Sequence, residues 1–312
     1  MLANLYIGIM FNSDPSHPNE AAGVLYAGAA YSVWGIIPLY WDNLSYVPPI
    51  ELSVHRMLWC AIFAFGVTAA RGRLPAIWSI ARSWRLISAL ALSSVLIAIN
   101  WTVYIWSVST HQLVEAALGY YINPLLSIAL GVVMLGERLS RIRLAAIILA
   151  GIAVAVQIVE LGHIPWIALT LALSFGFYGY IRKLTPVAAF DGLTVETCLL
   201  FPLTLGAVLF WAWQGTGVFP SPQFSTNGLL LFAGPLTAFP LALFAAGARR
   251  VRMSTLGFLQ YLSPSITLIV ATLILGESFS AVDAATFGCV WAALVLVGLE
   301  GQIARSFARG QA

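Results

Sequence analysis

Charge is what this 312-residue chain has least of: only 9% of its residues are Asp, Glu, Lys or Arg, while 60% are apolar. Soluble domains carry about 25% charged and ~45–50% apolar residues. A soluble chain of this length could not cover its surface with so few charges, so the composition implies an all-α integral membrane protein. Cysteine is nearly as scarce. Cys60, Cys198 and Cys289 stand far apart in apolar runs, with no spacing that suits a disulfide framework or a metal site. They are expected to be small buried hydrophobes. The net charge of +3 is dispersed, and no basic block exceeds Arg249-Arg250-x-Arg252, which argues against a nucleic-acid partner. Gly-x-Ser-x-Gly, His-Glu-x-x-His and P-loop strings are all missing, so no enzyme activity, cofactor or metal is expected.

Long apolar runs, by contrast, fill the chain. A membrane-spanning helix needs about 20 residues, and ten stretches qualify, near 22–41, 50–70, 86–108, 113–135, 144–161, 164–181, 193–213, 227–247, 254–275 and 283–303. Only Leu161-Gly162-His163 separates the fifth from the sixth, and Pro235 and Pro240 interrupt the eighth. The basic residues test this count independently. Apart from Arg56, all of them follow the even-numbered stretches: Arg71, Arg73, Arg82 and Arg85; Arg138, Arg141 and Arg143; Arg182 and Lys183; Arg249, Arg250 and Arg252; Arg305 and Arg309. The bias of Lys and Arg toward cytoplasmic loops then places both termini in the cytoplasm. Residues 1–21 read as a flexible tail without the basic start or cleavage site of a signal peptide.

A repeat fits the same topology. Tyr121-x-x-Pro124 followed by Gly136-Glu137-x-x-Ser140 recurs 140 positions later as Tyr261-x-x-Pro264 and Gly276-Glu277-x-x-Ser280. The first copy ends among bases on the cytoplasmic side; the second ends near Asp283 on the other. Tyr31–Gly35 and Ser174–Gly179 are more weakly related, and Glu51 and Glu196 each stand near the start of the next stretch. The expected architecture is therefore ten transmembrane helices as two inverted five-helix repeats, 22–161 and 162–303, with a cytoplasmic tail over 304–312. Inverted halves of this kind are built around a midplane site in secondary transporters.

Several strings together are family-like: Tyr31-Ser-Val-Trp34-Gly35, His55-Arg56, Asn100-Trp101, Glu115 to Pro124, Gly136-Glu137-Arg138, and Ser254 to Pro264. They resemble RarD proteins, a branch of the EamA group in the drug/metabolite transporter superfamily, from about residue 22 to 303. The resemblance implies ten helices in two inverted repeats in the bacterial inner membrane, and brings no settled substrate.

Polar groups inside apolar helices are costly, about 2.5–3.5 kcal/mol for a mid-membrane charge on insertion scales, and they select the candidate residues. Asn123 and Gln260 stand near their repeats' prolines. Pro124 and Pro264 free the carbonyls of Tyr120 and Gln260, which are tolerated where they line a cavity. With Ser263, Trp34, Tyr120, Tyr121, Tyr178 and Tyr261 as walls, this cluster is the expected substrate site, and Asn100 with Trp101 extends it. A neutral or zwitterionic ligand is expected there, because no unpaired formal charge is expected at that depth. Glu51, His55, Arg56, Glu115 and Glu196 are the coupling candidates. Glu51 and His55 share a face at i,i+4 and could titrate together. Arg56 could equally snorkel to the interface, and Glu115 and Glu196 could equally serve as helix-end residues. Gly136 and Gly276 suit left-handed helix caps.

The expected function is secondary transport by alternating access, exporting a small amino-acid-like metabolite or drug-like organic molecule. Its partners would be that substrate, membrane lipid and a proton as candidate coupling ion. A non-transporting scaffold or sensor on the same fold is the alternative, since fold alone does not decide function.

Overall fold

The computed structural model describes residues 20–109, 113–161, 164–274 and, within the last apolar stretch, 284–285, 288–289, 291–293 and 295–297. Among the described residues every regular element is a helix. In chain order these are α1 (Glu20–Ile36), α2 (Pro38–Asp42), α3 (Pro49–Ala70), α4 (Leu74–Arg82), α5 (Trp84–Ser109), α6 (Leu113–Leu135), α7 (Arg141–Leu161), α8 (Trp166–Leu184), α9 (Ala189–Gln214), α10 (Phe224–Ala248), α11 (Met253–Gln260) and α12 (Leu262–Leu273). Among the described residues, five helical stretches are long and apolar enough to cross a membrane: Glu20–Trp41, Pro49–Ala70, Trp84–Ser107, Ala189–Gln214 and Phe224–Ala248. They coincide with the first, second, third, seventh and eighth apolar runs. Helices α6, α7, α8 and the pair α11–α12 occupy the fourth, fifth, sixth and ninth runs.

The helix ends follow local chemistry. Proline opens α3 at Pro49, where a missing N–H costs nothing. Gly136 follows α6 at φ +65°, the left-handed conformation that commonly ends a helix, and the Glu137 N–H returns to the Gly131 carbonyl at 3.0 Å. The two repeat prolines act differently. Helix α6 runs unbroken through Pro124, whereas the chain breaks at Tyr261, between α11 and α12, three residues before Pro264. Gly276 and the rest of the second Gly-Glu-x-x-Ser string lie outside the described residues, as do 1–19 and 304–312, while the last two residues of the expected N-terminal tail, Glu20 and Ala21, already belong to α1.

Helix α4 was not among the expected elements. It lies in the basic connection after α3, with Trp78 exposed beneath the Arg82 guanidinium at 5.3 Å. Its Ile80 is buried against Val187 and Val195.

The helices form one bundle. Helix α3 packs against α9, α10 and α5; α8 against α6 and α5; α1 against α10 and α12; and α11 against α6. The main core gathers Tyr31, Trp101, Tyr178, Phe244 and Met253 from five different helices. At one end of the bundle the basic connections meet. Arg73 pairs with Asp191, Arg249 donates to the Val187 carbonyl, and Lys183 donates to the carbonyls of Ala248 and Val251. The hydrogen bond to Asp191 raises the Arg73 pKa. Burial, then the charges of Arg182 and Arg250, lower that of Arg249. At the other end Leu44, Val47, Leu52 and Leu230 form an uncharged cap under Tyr40, Trp41 and Phe219.

Candidate functional site

Two charges lie deep in the bundle, each two turns into its helix: Arg56 in α3 and Glu196 in α9. Glu196 lies 140 positions after Arg56, the interval that separates the two copies of the sequence motif. Their surroundings differ.

Arg56 is 6% exposed. Its Nε donates to Thr237 Oγ1 at 3.0 Å. The guanidinium lies over the Trp101 ring at 4.4 Å and the Trp41 ring at 5.0 Å. The ionisable groups close enough to feel its charge are the hydroxyls of Tyr104 and Tyr120 and the Cys60 thiol. Among the described residues no carboxylate pairs with it. Tyr120 meets Tyr104 edge-on, with ring centroids 5.9 Å apart. It keeps 42% exposure.

Glu196 is 1% exposed and answered from all sides. Arg182 Nε approaches its carboxylate at 3.5 Å, Ser93 donates to Oε1, and the Tyr178 hydroxyl donates to Oε2 at 3.5 Å. Ser94 donates to the Glu196 carbonyl at 3.0 Å. Arg182, also 1% exposed, donates through Nη2 to the Ala189 carbonyl at 2.9 Å. A Cβ at Gly192 would overlap Arg182 Nη1, so only glycine leaves room for the guanidinium. Arg182 is absent from the residues selected by sequence, where it reads as a loop base. Its signal is the small residue facing it and the glutamate one turn beyond.

The acids that open the two charged helices both fasten a connection. Glu51 accepts the Val218 N–H at 2.6 Å and stands 3.6 Å from His55 Nε2. Asp191 takes Arg73. His55 is buried beside Phe219, at 5.5 Å between ring centroids, with Nδ1 unpartnered.

The remaining sequence-selected residues fall into separate environments. Trp34 and Tyr178 belong to an aromatic core, Trp34 lying 5.5–5.7 Å from Tyr31, Phe175 and Phe244 and Tyr178 stacked on Phe244. Asn100 bridges α5 and α8, donating to the Leu171 carbonyl at 2.9 Å and to Ser174 Oγ at 3.0 Å. Along the seam of α6 and α11, Ser127 donates to Gln260 Oε1 at 3.1 Å, and the Tyr261 hydroxyl donates to the Tyr121 carbonyl at 3.5 Å. Asn123 is buried there with Oδ1 unpartnered. The Ser263 carbonyl faces Gly35 where α12 meets α1. Glu115 stands in α6, its side chain outside the described residues. Glu137 closes one end of the seam, accepting the N–H groups of Met253 and Ser254 and the Ser254 hydroxyl at 2.7–3.0 Å. Three or more His, Cys, Asp or Glu side chains nowhere converge as metal ligands among the described residues.

Comparison with known proteins supplies the context. The sequence profile of the EamA-like transporter family matches residues 21–159. An uncharacterized transporter of Bacillus subtilis, YojE, is 41% identical over 90% of this chain and 94% of its own. The chain belongs to the EamA-like transporter family. Within it, the RarD proteins of Escherichia coli and Salmonella typhi are 40% identical over 89% of the chain, which places it in the RarD branch of the drug/metabolite transporter superfamily. A more distant Pseudomonas aeruginosa relative, 28% identical, is named a chloramphenicol-sensitive protein. A solved crystal structure overlays with a TM-score of 0.68, covering 90% of this chain and 98% of its own at 17% identity. That overlay speaks for the fold alone. The EamA-like chain is thus a multi-pass membrane protein of a transporter family.

Proposed function

We propose that the chain is a secondary transporter that exports a small organic molecule, amino-acid-like or drug-like, by alternating access. It crosses the bacterial inner membrane ten times as two inverted five-helix halves, with both termini in the cytoplasm. It carries no catalytic role and needs no cofactor. One observation supports this reading: among the described residues, most of the main helix–helix contacts recur when a span is exchanged for the one five places on. Helices α3 and α9 exchange and meet each other, as do α6 and α11. The contact of α3 with α10 becomes that of α9 with α5. That of α1 with α10 becomes that of α8 with α5, and that of α6 with α8 becomes that of α12 with α1. Tyr121 and Tyr261, 140 positions apart, share one packed cluster, as residues beside a two-fold axis must. Halves that interlock this way can rock about a shared midplane site. The gathering of Arg73, Arg182, Lys183 and Arg249 at one end supports the orientation. In this reading the substrate contacts Trp101, Tyr120 and the α6–α11 seam at Asn123 and Gln260, while the Glu51–His55 pair carries the coupling proton.

Purified protein in liposomes tests the reading. Saturable, pH-gradient-dependent flux of at least one ligand that binds is expected, and Glu51→Gln should flatten its pH dependence. Binding without flux of any ligand would leave a sensor or scaffold instead. In intact cells, a cysteine placed at Gln223 should react with an impermeant maleimide and one at Arg250 should not; the reverse would overturn the topology.

A further inference from the structure

A guanidinium can be buried at tolerable cost only if its donors are answered and its charge is met. Of the five N–H donors of Arg56, Nε alone has a partner among the described residues, the Thr237 hydroxyl. Indole rings account for the charge, Trp101 at 4.4 Å and Trp41 at 5.0 Å from Cζ, and such contacts favour the cation without using its hydrogen atoms. What remains is the outer edge of the fork, Nη1 and Nη2. That edge is the geometry that takes a carboxylate through two parallel hydrogen bonds. Lysine could not offer it. Tyr104 and Tyr120 are near enough to feel the Arg56 charge, and Tyr120 is 42% exposed. A charged fork, two indole rings and two tyrosines thus gather in one part of the bundle.

We propose that Arg56 is the anchor of an organic-carboxylate site, in which the Nη edge binds the carboxylate and Trp41, Trp101 and Tyr120 flank a planar apolar body. The inference rests on the transport reading for its biological use, but it concerns binding only. It replaces a neutral ligand with a monocarboxylate bearing an aromatic or similarly flat group.

The test uses full-length protein in nanodiscs, titrated with benzoate and phenylacetate and with their uncharged amides, benzamide and phenylacetamide, by calorimetry. At least one carboxylate should bind saturably and at least tenfold more tightly than its amide. Arg56→Gln should bring the two within twofold of each other, while Arg56→Lys should retain part of the preference. If Arg56→Gln fails to fold, the wild-type preference for carboxylate over amide still decides. Equal binding of acid and amide, an unchanged preference in Arg56→Gln, or no saturable binding of either acid would overturn the proposal. So would acid binding that appears only in Asp42→Asn, because Asp42, next to Trp41 in the chain, would then be the anion that Arg56 holds. Carboxylate binding without flux would sink the transport reading and leave this site standing. Flux of uncharged probes alone would do the reverse.

Discussion

The two halves of the bundle place a buried charge at matching positions and treat it in opposite ways. In the second half, Glu196 meets Arg182, Ser93 and Tyr178, so its charge is neutralised within the protein. In the first half, Arg56 meets one hydroxyl and two indole rings, and its charge is shielded without being neutralised. A paired buried charge fixes structure; an unpaired one held against aromatic faces is available to something that arrives. In the proposed two-repeat arrangement, equivalent positions need not carry equivalent duties.

Substitutions can break this contrast, and the largest effect is expected at the paired site. Arg182→Met strands the Glu196 carboxylate and should cost about 3–5 kcal/mol of stability, read as a lower unfolding midpoint in detergent. The double variant Arg182→Met/Glu196→Leu should recover most of that loss, since replacing both members of a buried pair is often near neutral. Failure to recover would mean that the pair does more than satisfy itself. Next in size, Gly192→Ala pushes a methyl group into the Arg182 guanidinium and should cost about 1–3 kcal/mol, as overpacking does. A silent Gly192→Ala would show that the guanidinium has room to move aside. The smallest effect belongs to the unpaired site. Thr237→Val removes a single hydrogen bond from Arg56 and should cost about 0.5–1.5 kcal/mol, with Arg56→Met of similar size because no partner charge is left behind. Equal losses for Arg56→Met and Arg182→Met would abolish the distinction between the halves.

The apolar runs made the spans legible, because a helix in lipid must be apolar along its length. Residue type alone could not separate partnered from unpartnered polar groups. Asn100 and Asn123 look alike in sequence as amides within apolar helices; one bridges α5 to Ser174, and the other has a bare Oδ1. Arg182 stands beside Lys183 at the end of a span, where hydropathy reads both as loop bases, yet the last turn of α8 turns Arg182 inward toward Glu196. Helix α4 gives no spanning signal because Leu74–Arg82 is only 9 residues long, with a single base, Arg82, in its last turn, as suits a short helix lying along a surface.

Glu137 has a mechanical consequence. Its carboxylate replaces water at the start of α11 with three hydrogen bonds to Met253 and Ser254, and a Cβ at Gly131 would meet Glu137 Oε2 at 2.8 Å. The end of α6 and the beginning of α11 are therefore stapled by one side chain that has little slack. Prying those ends apart would expose all three donors together, whereas swivelling about them disturbs none. The staple behaves as a fulcrum, and leverage grows with distance from it. The widest excursions of the seam belong at its far end, where α11 gives way to α12 and Tyr261 forms the joint.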